Sequence, residues 1–539
     1  MTQPTLIIDM HTHLFNARYV PLKEIFVSKK VPKALAGKLA KLVLLLTGQS
    51  KLRINVPQPL SDEVSFDSLL KSNMNLSQEH DHQVTALAGT IEDLVMTQLY
   101  LEMQGVEDDF EAAMAVEDCE LYRLLCELDR EFGDPESAAA LDLQGPAGFV
   151  SISFANKPFS GVTDKGLFSG LRKMLKRMLK KVIRFVDAGG DFLDFALTMM
   201  RGEKKLLRRL EGYYKATQSK FLLVHYMMDM AHPFEGDVHF PFYNKQLEKM
   251  TALEKHSDGS LLGFAAFDPI RCVDRQLSEP GIIDLLETAL RYGKVGFKFY
   301  PPMGYRAANN EDSPGLEYAV DVFFDYCVAN RVPVFTHCTP EGFEQTPGKT
   351  GPNSHPKYWE AALQKPGRDE LILCFGHAGG GKRTLGNRTV MGWLSGTDEQ
   401  QWNDQDNYAR WVVRLCRQYK NVYCEIAYMH EIIGHGGSSD AFKQRLIAEY
   451  QRGVDAEHPY PFAEKIMYGS DWHMPSMVND IDDYLRDVVN IFTAPELAPH
   501  REAFFSGNAL RYLDIDNYLA RVADIFGATY IDGVRARIG

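Results

Sequence analysis

Leu6-Ile7-Ile8-Asp9-Met10-His11-Thr12-His13 forms the first apolar run of the chain and closes it on two histidines. A short, nearly continuous apolar run reads as a strand buried on both faces, the habit of parallel sheets. Seven further runs share that texture: Phe221–Met230, Leu261–Asp268, Val295–Tyr300, Pro333–His337, Leu371–His377, Val422–Ala427 and Ile466–Asp471. Most lead into a stretch long enough for a helix, such as Gly281–Tyr292 and Leu316–Asn330. Eight strand–helix units describe an α/β fold, a (β/α)8 TIM-like barrel.

A barrel typically needs ~250 residues. Residues 1–17 and 221–515 supply it, the first strand from one piece and seven units from the other. Residues 18–220 then form a large, mainly helical insertion after strand 1, and 516–539 a C-terminal helical extension. Within the insertion the periodicity predicts helices over Val84–Met103, Asp108–Glu131 and Leu167–Val186. Placed after a first strand, the insertion is expected to cap the C-terminal face, where barrel sites form.

Composition narrows the function. The 539 residues are 45% hydrophobic and 24% charged, an ordinary globular balance. A net charge of −13 argues against a chain-wide nucleic-acid surface. Eight cysteines, none in a CxxC pair, suit a reducing compartment. The run Leu6–Ile8 is too short for a signal sequence, and Leu42–Leu46 falls far below the ~20 residues that span a bilayer. The expectation is a soluble, cytoplasmic protein acting on a small molecule, compatible with homo-oligomers and without membrane association.

The chemistry lies where the runs end. His11 and His13, two apart in a strand, can face one ligand together. His337 ends the fifth run, His377 the sixth, and Asp471 the eighth. In a barrel these carboxyl ends converge on one face, giving nitrogen and oxygen donors for a divalent metal. One histidine at a strand end is usually just hydrogen-bonded; five such residues in order on four strand ends favour a metal site. Lys298 ends the fourth run, and an ordinary ammonium ligates no cation. Tyr300, Arg306 and Trp472 fall at or just past strand ends as candidate substrate contacts, and Arg306 could receive a carboxylate bidentately. Glu425 and Tyr428 close the seventh run as supporting partners.

The order HxH, Lys, His, His, Asp on strands one, four, five, six and eight resembles the amidohydrolase superfamily. The wording of Leu371–Gly380 (LILCFGHAGG), Met467–Trp472 (MYGSDW) and Phe505–Leu510 (FSGNAL) is similar to the amidohydrolase-2 branch, which also holds decarboxylases related to aminocarboxymuconate semialdehyde decarboxylase. The resemblance covers the barrel and leaves out the insertion. It implies that His11, His13, His337 and Asp471 ligate metal, with Asp471 also the proton acceptor. It implies that His377 is either a second-metal ligand or a catalytic acid/base. It implies one divalent ion, Zn2+, unless Lys298 is carbamylated and bridges two. The implied activity is hydrolysis of an amide, ester or lactone by metal-activated water. Non-oxidative decarboxylation is the alternative, and a non-catalytic scaffold or membrane-peripheral protein the reading from another class.

Three features mislead. Gly376-His-Ala-Gly-Gly-Gly-Lys382 begins like a phosphate-binding loop, but Arg383 stands where Ser or Thr is needed. His430 and His435 are five apart, about 140° around a helix, so they cannot act as HExxH does. Residues 165–220 carry fifteen basic against five acidic residues, with an apolar stripe over Leu171–Phe185. Such a helix usually packs its stripe on its own domain and leaves its lysines in water.

Overall fold

The computed structural model describes residues 4–28, 33–47, 201–234, 243–339, 342–434, 436–472 and 481–539, with isolated positions at 89, 124, 127, 198 and 199. The helices expected over 84–103, 108–131 and 167–186 lie outside these but for single positions. The chain divides into two compact units, Met1–Phe15 with Glu203–Gly539, and Asn16–Gly202. In the second unit the helices Leu22–Ser28 and Lys33–Leu46 pack together, burying Phe26, Ala36, Leu39 and Leu42.

The first unit is the expected (β/α)8 barrel. Its strands are β1 (Leu6–Thr12), β2 (Lys220–Tyr226), β3 (Leu261–Phe267), β4 (Phe297–Phe299), β5 (Val334–His337) and β6 (Leu373–Gly376). A hairpin of β7 (Arg383–Leu385) and β8 (Arg388–Val390) follows, then β9 (Val422–Glu425) and β10 (Ile466–Met467). The eight barrel strands run parallel in the order β1-β2-β3-β4-β5-β6-β9-β10. The ring closes through Met10 N–H to Tyr468 O (3.0 Å), Asp471 N–H to His11 O (2.7 Å) and a parallel bridge from Thr12 to Trp472. The hairpin is an addition to the expected pattern.

Helices form where an apolar face can cover the strands. Glu279–Arg291 starts on Pro280 and buries Ile282, Leu286 and Ala289. Pro314–Ala329 starts on Pro314 and buries Phe323, whose ring stacks on Phe267 at 4.0 Å. The helix Glu203–Lys215, the end of the basic stretch, buries Leu206, Leu207, Leu210 and Tyr214 and leaves Lys204, Arg208 and Arg209 exposed. The apolar stripe over 171–185 lies outside the described residues.

The terminal residues are more than an extension. The helices Ile515–Phe526 and Ala528–Ile538 place Tyr518, Leu519, Val522, Tyr530 and Val534 in one core with Leu6, Ile8, Leu222, Val224 and Leu262. They plug the N-terminal end of the barrel. Gly259, at φ +80°, lets the last helix approach: a Cβ there would stand 2.5 Å from Val534 N.

β1 is not regular. Asp9 pairs with Leu223 and Thr12 with His225, so Met10 and His11 together oppose Val224. A bulge of this kind re-aims side chains, and here it falls on the first candidate ligand.

Candidate metal centre

At the C-terminal mouth, three donors meet. His11 Nε2 and His13 Nε2 are 3.2 Å apart, and Asp471 Oδ1 lies 3.4 Å from the first and 3.3 Å from the second. Two ligands held ~2.1 Å from one tetrahedral ion stand ~3.4 Å apart, so these separations suit a shared cation. Among the described residues these three side chains make one of two groups that could hold a metal ion, and all three are buried.

Hydrogen bonds fix the imidazoles. His13 Nδ1 faces Tyr226 O at 3.2 Å, and a carbonyl only accepts, so Nδ1 carries the hydrogen and Nε2 the lone pair. His11 Nδ1 faces Glu425 Oε1 at 2.9 Å. Glu425 also accepts the backbone N–H groups of His377 (2.8 Å) and Ala427, the acceptor geometry of a carboxylate. Both Nε2 atoms thus face the Asp471 oxygen, and Glu425 stands behind His11 where an outer-shell carboxylate would.

Burial shapes the charges around the donors. Burial pushes Glu425 up to about 8, with Asp471 and Asp9 adding repulsion, and burial raises Asp9 to about 6. Burial lowers the Lys298 ammonium to about 8, against the pull of Asp471 and Glu425. Its Nζ stands 3.4 Å from His11 Nε2 and 3.3 Å from His13 Nε2. Asp471 and Glu425 both act on this one weakened ammonium, and a divalent ion at the donor set would favour their ionised forms. Burial also lowers His11 and His377, keeping both imidazoles neutral.

His377 and His337 make a second pair. His377 Nδ1 donates to Ala427 O (3.0 Å), so its Nε2 accepts from His337 Nδ1 at 3.0 Å. This bond engages His337 Nδ1; His337 is not one of the three clustered donors, and its Nε2 is not taken up by the bond to His377. A second cluster, His11 with His377 and Glu425, also satisfies ligand spacing, but Glu425 Oε1 already binds His11 Nδ1. We read it as support for the first. Asp471, His377 and Ala378 all sit at positive φ (60°, 60° and 43°), local backbone strain at three mouth positions.

The other sequence candidates divide. The Tyr300 ring lies 4.7 Å from His337, and its hydroxyl accepts Phe343 N–H at 3.1 Å. Trp472 is buried and bridged to Thr12. Arg306 is engaged elsewhere: it donates to Asn353 Oδ1 (3.0 Å) and Asn309 O (3.1 Å) and covers the Tyr358 ring. The glycine loop after β6 leads into the β7–β8 hairpin rather than a helix, so it lacks the helix start a phosphate loop requires.

Sequence reasoning passed over Asp9. Its four hydrogen bonds come from His11 N–H (3.1 Å), Ser470 N–H (2.9 Å), Ser470 Oγ–H (2.6 Å) and Tyr214 O–H (2.6 Å). An acid inside a buried apolar run was the available signal, since unpaired acids are almost never fully buried.

A family model for amidohydrolases matches residues 212–515, more than half of the chain. No curated protein matches it. Among solved structures, it is similar to an amidohydrolase from Burkholderia multivorans at 12% identity, covering 57% of this chain and 88% of that one, TM-score 0.35. It is similar to 2,6-dihydroxybenzoate decarboxylase from Rhizobium at 14% identity, 57% and 88% coverage, TM-score 0.34. A manganese complex of 5-carboxyvanillate decarboxylase from Novosphingobium aromaticivorans is similar at 13% identity, 57% and 79% coverage, TM-score 0.35. The match along the barrel carries the conclusion: the chain belongs to the amidohydrolase family.

Proposed function

We propose that this protein is a metal-dependent hydrolase that adds water across an amide, ester or lactone bond of a small molecule. The observation that carries this reading is the meeting of His11 Nε2, His13 Nε2 and Asp471 Oδ1 within 3.4 Å at the barrel mouth. In this scheme those residues hold one divalent ion, and the nitrogen-rich donor set suits Zn2+. Bound there, the ion supplies Lewis acidity and brings the pKa of a coordinated water to about 7.

The protein's own residues do the rest. Asp471 takes the proton of the attacking water and delivers it to the leaving nitrogen or oxygen. His377, whose Nε2 is paired with His337 Nδ1 at 3.0 Å, serves the reacting centre as acid/base once substrate displaces that pairing. Glu425 holds His11 in its ligating tautomer. Lys298 stays an ammonium and meets an acidic group of the substrate, while Tyr300 and Trp472 shape the pocket wall.

The test is a panel of amides, esters and lactones, with chelated and zinc-reloaded protein. Hydrolysis that vanishes on chelation and returns with Zn2+ is the expected result. CO2 release from carboxylated phenols with no hydrolysis would replace this reading by decarboxylation. Vesicle binding with neither metal nor turnover would replace it by a scaffold role.

A further inference from the structure

The bulge in β1 needs something to hold it. Opposite Val224 the strand spends two residues, and the second is His11. The Asp9 carboxylate pins this irregularity from both sides. Its Oδ1 accepts His11 N–H at 3.1 Å, two residues along its own strand, and Ser470 N–H at 2.9 Å, across the closing seam. Its Oδ2 accepts Ser470 Oγ–H and Tyr214 O–H, both at 2.6 Å. Two oxygens with two donors each fill the four acceptor positions of a carboxylate.

Ser470 precedes Asp471, and its backbone is tied to β1 again through Asp471 N–H to His11 O at 2.7 Å. One carboxylate thus sets the offset between the segment bearing His11 and His13 and the segment bearing Asp471. Tyr214 is the member from outside both. It comes from the helix Glu203–Lys215, 205 residues from Asp9 in sequence, and is fully buried with its hydroxyl also 3.3 Å from Tyr468 Oη.

We propose that Asp9 and Tyr214 are positioning residues: through the β1 bulge, the Tyr214 hydroxyl and the Asp9 carboxylate hold His11 and His13 at the spacing from Asp471 that a divalent cation needs. The proposal rests on the His11–His13–Asp471 ligand set of the proposed function and deepens it by naming what tunes that set. Removing the phenol oxygen leaves Asp9 Oδ2 with one donor, frees the seam to slide and loosens the ligands without deleting any of them. Outer-shell partners of metal ligands are typically worth 10–100-fold in affinity.

The experiment measures Zn2+ affinity of the full-length protein by competition with a chromophoric chelator, alongside thermal unfolding. Tyr214→Phe is expected to weaken Zn2+ binding about tenfold, and Asp9→Asn, which puts an amide donor against a donor, at least as much. Tyr518→Phe is the control. It removes a buried hydroxyl, 3.0 Å from Tyr530 Oη, at the opposite end of the barrel, and is expected to lower thermal stability while leaving affinity unchanged. Equal Zn2+ affinity in Tyr214→Phe and Tyr518→Phe would overturn the positioning role. Absence of Zn2+ binding in the wild type would overturn the ligand set itself, and with it this inference.

Discussion

Asp471 sits at φ +60° with its carboxylate against two imidazoles, a conformation that costs energy and places one oxygen at the mouth. If that oxygen moves the proton, Asp471→Asn keeps the fold and lowers kcat about 10²–10⁴-fold, read in the hydrolysis assay with the thermal midpoint as control. Wild-type rates in that variant would remove the base assignment. Glu425→Gln, which exchanges the carboxylate at His11 Nδ1 for an amide, is expected to weaken metal affinity about 10–100-fold by chelator competition. At this scale the sequence was partly legible. His11, His13 and Asp471 stand at strand ends, and topology alone brings such ends together. Arg306 could not be placed, because its partners Asn353 and Asn309 belong to loops whose course no periodicity encodes. Nor could Tyr214, whose partner lies far away in sequence.

Among the elements, barrel strands were legible because strands buried on both faces are written as apolar runs. β7 and β8 were not: Arg383–Val390 reads Arg-Thr-Leu-Gly-Asn-Arg-Thr-Val, an exposed polar hairpin without the apolar alternation that marks a strand. The helix Pro356–Leu363 shows how a cap sets a pH limit. His355 Nδ1 accepts Lys357 N–H at 3.0 Å, which needs a neutral ring. Burial, helped by Lys357 and Arg383, lowers His355 to about 3 from its ordinary 6.5. The folded state therefore resists protonation more than the unfolded one. The stabilisation is complete above about pH 6.5 and is lost as pH falls from there toward 3. His355→Asn, retaining a side-chain acceptor that does not titrate, is expected to flatten the fall of the thermal midpoint over that range; an unchanged acid slope would contradict it.

Across the whole molecule, one end of the barrel is closed by the terminal helices and the other gathers the candidate site. The terminal helices fill the N-terminal end with Leu519, Val522, Tyr530 and Val534, so Leu519→Ala is expected to cost about 2–5 kcal/mol, seen as a lower thermal midpoint with Zn2+ affinity unchanged. Among the described residues no helix is long and apolar enough to cross a membrane. The mouth gathers donors from residues hundreds of positions apart. We propose that His11, His13 and Asp471 hold a divalent cation there. Plasma mass spectrometry on protein purified without chelator or added metal tests it most directly, beside His11→Ala and His13→Ala. About one zinc or manganese per wild-type chain is expected, with loss of metal in both variants. Full occupancy in both variants, or an empty wild type even after reconstitution, would contradict it.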